Sequence, residues 1–140
     1  MRKARVLFVS QEITPYLDET HVGKIARRLP QAIQERGKEI RTFMPKYGNI
    51  NERRHQLHEV IRLSGMNIVI NNADHPLIIK WASIPTARMQ VYFIDNDEYF
   101  QRKSVLTDKA TGKYFDDNDE RMVFFNRGVI ETVIKPGWAP

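Results

Sequence analysis

The chain has 140 residues, 28% of them charged and 41% hydrophobic, enough for one domain built on a single core. It contains no cysteine, which excludes both a disulfide framework and a Cys-ligated metal site. The net charge of +5 comes from dispersed basic residues, clustered only at Arg27-Arg28 and Arg53-Arg54 without interleaved aromatics, so a solvated basic surface is expected and no nucleic-acid partner.

Val6-Leu7-Phe8-Val9 is an apolar run without alternation that stops at Ser10. It predicts the first strand of an open parallel α/β sheet, buried on both faces. Ligands of such sheets collect outside the carboxyl ends of the strands, so residues 10–20 sit where chemistry occurs. Val22, Ile25, Ala26, Leu29 and Ile33 then fall at helical spacing, and Gly37 is placed to stop the helix in a left-handed conformation. Pro30 lies inside this pattern, removes one helical hydrogen bond and predicts a kink. Residues 38–44 read as a second strand ended by Pro45, giving a right-handed parallel βαβ unit.

Residues 49–54 are polar and predict a loop or short helical turn. Four strand-like segments follow, at 57–63, 67–70, 77–83 and 89–94. The turn signals between them are Ser64-Gly65, Asn71-Asn72-Ala73-Asp74 with His75-Pro76, and Ile84-Pro85. This spacing predicts a β-rich antiparallel insertion that returns to the parallel sheet. Residues 107–119 read as a mobile surface loop. Asn118 or Asp119 is placed to cap a last helix whose apolar face is Met122, Phe125, Val129 and Val133, with Ile130 to the side and Pro136-Gly137 as its end. No internal repeat or low-complexity tract is present.

No apolar run approaches the roughly 20 residues of a membrane span. Met1-Arg2-Lys3 followed by a short strand does not read as a leader, so a cytoplasmic location with no membrane partner is expected. His21, His55, His58 and His75 are scattered. His55 and His58 are three apart, but no carboxylate or third imidazole at ligand spacing joins them, so they read as a surface pair and no metal is expected.

Five blocks carry a resemblance. They are Val9-Ser10-x-Glu12-x-x-Pro15, Leu29-Pro30-x-Ala32, Phe43-Met44-Pro45-Lys46-Tyr47, the run from Phe93 to Arg102, and the run from Asp117 to Arg121 with Phe124-Phe125. In this order they resemble the N-terminal part of bacterial glycogen synthases and plant starch synthases. The resemblance implies a Rossmann-like parallel sheet with helices on both faces, over residues 1–140 as a truncated first part of a two-domain glycosyltransferase. It implies that the full-length parent is a retaining glycosyltransferase that moves glucose from ADP-glucose to an α-1,4-glucan with no cofactor. Its main catalytic charges would lie beyond Pro140, leaving no catalytic residue within this fragment, which alone would be inactive.

Three residues are singled out as substrate-binding. Glu12 lies just past the first strand, where a carboxylate accepts hydrogen bonds from sugar hydroxyls or, as an alternative, from turn amides. Tyr99 and Arg102 follow a later strand, and the resemblance places their segment beside the glycan acceptor. Aromatic faces suit sugar rings and a guanidinium suits hydroxyls or phosphate, although Tyr99 and Phe100 equally suit a core anchor. Lys46 reads as a solvated lysine. The chain departs from the family at the first βα loop, where Lys-Thr-Gly-Gly is replaced by Asp18-Glu19-Thr20-His21. Two carboxylates there oppose a diphosphate, and no phosphate-binding role carries over to these four residues. The alternative reading is a divergent glycan-binding or regulatory homologue without turnover.

Overall fold

The computed structural model describes residues 5–135. Five strands form one mixed sheet in the order β1 (Arg5–Val9), β2 (Glu39–Pro45), β7 (Met89–Asp95), β6 (Ile78–Ile84), β3 (His58–Glu59). The strands β1, β2 and β7 are parallel, with Arg5 opposite Glu39 and Thr42 opposite Val91, while β6 and β3 add antiparallel. A separate two-stranded hairpin joins β4 (Asn67–Ile70) to β5 (Ala73–Pro76). The helices are α1 (His21–Glu35), the single turn α2 (Asp97–Phe100) and α3 (Asn118–Ile134).

Local chemistry accounts for the boundaries. The Thr20 hydroxyl accepts from the Gly23 amide and caps α1, which runs on through the buried Pro30. Gly37 takes φ +81°, and the amides of Gly37 and Lys38 close on the carbonyls of Gln34 and Ile33, so the last turn is sealed in the way a left-handed glycine permits. Asn71 and Asn72 both have positive φ, which fits the tight two-residue turn whose twist matches a hairpin.

The two sheet faces separate the helices. Gly128 of α3 packs on Ile94 and Leu77, whereas Tyr16, in the loop before α1, packs on Phe93, the neighbour of Ile94 that points to the other face. The core is dominated by Phe43, Met44, Phe93, Phe100, Phe124 and Ile79, all fully buried.

Several sequence expectations need correction. The first strand is not buried on both faces: β1 is an edge strand, with Leu7 46% and Val9 41% exposed, because no neighbour covers its far side among the described residues. Residues 57–63 are not one strand but the short β3 followed by a 3₁₀ turn at Ile61–Leu63. Ala73–Pro76, taken as a turn, is a strand paired with β4. The cap of α3 is Asp117 rather than Asn118 or Asp119, and its carboxylate does not bond the helix amides. The buried stripe of α3 is Arg121, Phe124, Phe125, Gly128, Val129 and Thr132, rotated from the expected face, and Ile130 is exposed. Of residues 107–119, the last two open α3 and the rest form an internally bonded loop, with Thr107 bridged to Tyr114 and the Asp108 amide donating to the Lys113 carbonyl. The expected stop at Pro136-Gly137 lies outside the described residues.

Candidate functional site at the carboxyl edge of the sheet

The parallel strands β1, β2 and β7 all end at one edge of the sheet, and the loop after each carries residues singled out from the sequence. After β1, Ser10 Oγ donates to the Glu12 carbonyl at 2.8 Å and accepts from the Glu12 amide at 3.3 Å, which folds the chain back. The Glu12 carboxylate then accepts from Thr20 Oγ1 at 2.9 Å. Thr20 is therefore doubly used: it caps α1 and holds Glu12 beside the start of that helix. Glu12 remains half-buried, with Oε1 making no hydrogen bond among the described residues.

After β2, Lys46 is 4% exposed rather than solvated. Its ammonium lies 3.2 Å from Glu52 Oε2, and Lys80 contacts both Glu52 Oε1 and Asp95 Oδ2 at 2.8 Å. Two lysines and two carboxylates thus close a neutral network across the ends of β2 and β7. Burial opposes the charge on Lys80, but its hydrogen bonds to Asp95 and Glu52 outweigh that and hold its pKa above the ordinary lysine value. Burial likewise opposes the Glu52 carboxylate, and the bonds from Lys80 and Lys46 outweigh it and lower its pKa. Tyr47, next in sequence, is fully buried. Its phenol pKa is raised, chiefly by burial and further by the Glu12 charge, against an opposing pull from Arg121.

After β7, the Asn96 side chain accepts from the amides of Glu98 and Tyr99 and caps α2. Arg102 then forms a bidentate pair with Asp117, both contacts at 2.5 Å, and stacks over Phe115 at 4.7 Å. That pair raises the Arg102 pKa and lowers that of Asp117. The guanidinium remains 26% exposed at this edge.

Tyr99 is placed differently from the sugar-facing role set out for it. Its ring is 1% exposed, packed on His75 and Phe124, and so presents no open face in this structure. Its hydroxyl donates to Glu120 Oε2 at 3.1 Å and lies 3.2 Å from His75 Nε2. Burial first, then Glu120, pushes its pKa up. Phe100 is also fully buried, as a core anchor. Glu12 and Arg102 therefore stay at the edge, while the Tyr99 ring is packed into the core.

Arg121 was missed from the sequence. It is 0% exposed, donates Nε to the Tyr99 carbonyl and Nη1 to the Val105 carbonyl, each at 2.7 Å, and lies over Phe100 at 5.4 Å. One guanidinium therefore fastens α2 and the loop after it to α3. The available signal was its position three and four residues before Phe124 and Phe125, on the stripe that meets the sheet.

The first βα loop keeps its negative character. Asp18 and Glu19 are exposed, and Lys24 reaches back from α1 to lie 3.1 Å from Glu19 Oε1. The ammonium near the helix start is thus paired with a carboxylate already. Among the described residues, no group of three or more His, Asp or Glu is arranged to hold a metal, and no helix is long and apolar enough to cross a membrane.

Comparison with known proteins shows the family and supports the fold. A family model described as starch synthase catalytic domain matches residues 5–140. Glycogen synthase of Chlorobium luteolum is 38% identical over 139 residues, covering 99% of this chain and 28% of that protein. Glycogen synthase of Chlorobaculum tepidum is 37% identical over the same length, again with 28% of the relative covered. In structure, the catalytic domain of starch synthase IV from Arabidopsis thaliana, bound to ADP and acarbose, superposes with a TM-score of 0.74 at 18% identity, over 93% of this chain and 25% of that one, which supports the fold. The chain spans little more than a quarter of the length of the curated relatives it matches. It belongs to the starch synthase catalytic domain family and is homologous to the glycogen synthases.

Proposed function

We propose that this chain supplies the N-terminal portion of a glycogen (starch) synthase that transfers glucose from ADP-glucose to an α-1,4-glucan. The observation that carries this reading is the common edge reached by Glu12 and Arg102 from separate strands, with Tyr47 and Gly48 between them in the loop after β2. Glu12 offers a hydrogen-bond acceptor to a sugar hydroxyl, and Arg102 offers a guanidinium whose orientation is fixed by Asp117. Tyr99 and Arg121 hold the segment that presents Arg102. The chain alone binds glucan weakly at most and turns nothing over, because the charges that would stabilise a leaving diphosphate lie elsewhere in the longer protein.

A second reading has its own support. Asp18 and Glu19 stand exposed at the helix start, and the Lys24 ammonium there is already paired with Glu19. On that reading the longer protein binds glucan but no sugar nucleotide. Calorimetric titration of the full-length protein with ADP-glucose, paired with retardation on a glycogen-containing gel, separates the two. Donor binding supports the synthase, whereas retardation without donor binding supports the glycan-binding homologue. Restoring Asp18→Lys, Thr20→Gly and His21→Gly in the same protein should then raise donor affinity.

A further inference from the structure

On the α1 face of the sheet, a cavity of about 180 Å³, with neither Glu12 nor Arg102 in its lining, opens between the loop at Pro15 and Tyr16, the turn at Arg54 and His55, and the end of β6 at Ser83 and Pro85. Its size falls below the roughly 300 Å³ at which pockets begin to hold drug-sized ligands. A sugar nucleotide is excluded, and a compact ion fits.

The lining has one sign. Tyr16 is 5% exposed, clamped edge-on between Phe93 at 4.9 Å and His55 at 5.0 Å, and its shielded hydroxyl has no hydrogen-bond partner. A buried hydroxyl left without a partner is costly, so a ligand that accepts from it gains accordingly. Burial raises the Tyr16 pKa to about 12, which keeps the hydroxyl protonated as a donor. Arg54 holds its turn through its amide on Asn51 Oδ1, and no carboxylate pairs with its guanidinium among the described residues. Burial and the Arg54 charge together lower the pKa of His55. The charge acting on Tyr16 is that of Arg27, whose own hydrogen bonds go to Gln31 and Thr86 and not to a carboxylate. The Arg54 guanidinium, the His55 imidazole and Tyr16 thus share a cavity whose lining includes no Asp or Glu.

We propose that the cavity between Tyr16, Arg54 and His55 binds a compact phosphate-type oxyanion. Arg54 supplies the charge, Tyr16 donates its hydroxyl and His55 donates from its ring once the anion offsets the neighbouring guanidinium. The site does not rest on the glucosyl-transfer reading, since neither Glu12 nor Arg102 lines it.

The test is imidazole-detected NMR of the chain at pH 7 during titration with inorganic phosphate, sodium chloride holding the ionic strength constant. The His55 resonance should shift saturably, and its pKa should rise with phosphate bound, while the exposed His58 stays in place. Arg54→Gln should weaken binding at least tenfold and Tyr16→Phe severalfold, with amide spectra showing the fold retained in each. A parallel titration with glycerol 3-phosphate distinguishes the source: saturation there identifies a phosphomonoester as an acceptable ligand, and saturation with inorganic phosphate alone identifies the free ion, both upholding the site. A His55 response equal to that of chloride alone, or an unchanged affinity in Arg54→Gln, would overturn it.

Discussion

Gly48 lies directly against the backbone of Arg102: a Cβ built on Gly48 would overlap the Arg102 carbonyl oxygen and come within 2.7 Å of its amide nitrogen. The loop after β2 and the segment after α2 therefore meet backbone to backbone, without side chains between them. That contact sets the height at which Arg102 emerges beside Asp117.

Gly48→Ala should accordingly destabilise the chain by about 1–3 kcal/mol, the range of overpacking where the obstructing atoms are main chain. Urea unfolding followed by far-ultraviolet circular dichroism would measure it. Gly65→Ala is not an equivalent control, because Gly65 has open space around it but a φ of +93°.

The acid limb of stability should depend on Asp117. Its pKa is lowered, first by the Arg102 hydrogen bonds, against burial. A depressed carboxylate stabilises the fold fully above its unfolded value of about 3.9, and that contribution is lost as pH falls through the folded value. Glu52 acts in the same direction. Asp117→Asn should lower stability at pH 7 by about 1 kcal/mol, as for a partly exposed pair, and flatten the loss below pH 4. Thermal melts from pH 2 to pH 7 would show both.

The alkaline limb has the opposite sign. Tyr16, raised to about 12, and Tyr47 and Tyr99, also raised, stay protonated in the fold beyond the ordinary phenol value. Their contribution is complete below about pH 10 and is lost as pH rises through the folded values. Absorbance at the phenolate band should show these three ionising late and together with unfolding. Tyr16→Phe should remove one from that phase and lessen the alkaline loss.

Arg121 should behave as a fastening rather than as a surface charge. Arg121→Ala removes the donors to the Tyr99 and Val105 carbonyls and the packing on Phe100, at about 3 kcal/mol or more. Arg121→Met should recover part of this, because the stem packing returns while the two carbonyls stay unpartnered. Hydrogen exchange should locate the loosening at α2 and residues 101–107.

The parts of the fold legible in the sequence were those governed by local chemistry. The apolar runs of β1, β2 and β7, the Gly37 stop and the parallel βαβ unit all follow from periodicity and one left-handed glycine. The hairpin was half hidden, because His75-Pro76 resembles a turn while the positive-φ pair Asn71-Asn72 already makes the real one. The exposure of β1 depends on which strands flank it, a tertiary fact that its composition does not encode. At the site, the positions of Glu12 and Arg102 after strands were readable. The burial of Tyr99 was one of two open readings and needed the packing of α3 to decide it. Arg121 and Lys46 escaped because a buried cation is recognised by its partners, which come from distant segments.

The most direct test of the proposed function uses the full-length protein, incubated with ADP-[14C]glucose and a glycogen primer, with label counted in the precipitated glucan. Incorporation that falls at least tenfold in Glu12→Gln or Arg102→Ala is the expected result. No incorporation by the unaltered protein, with glycogen still retarding it on an affinity gel, would contradict the synthase reading and leave the chain as part of a glycan-binding homologue.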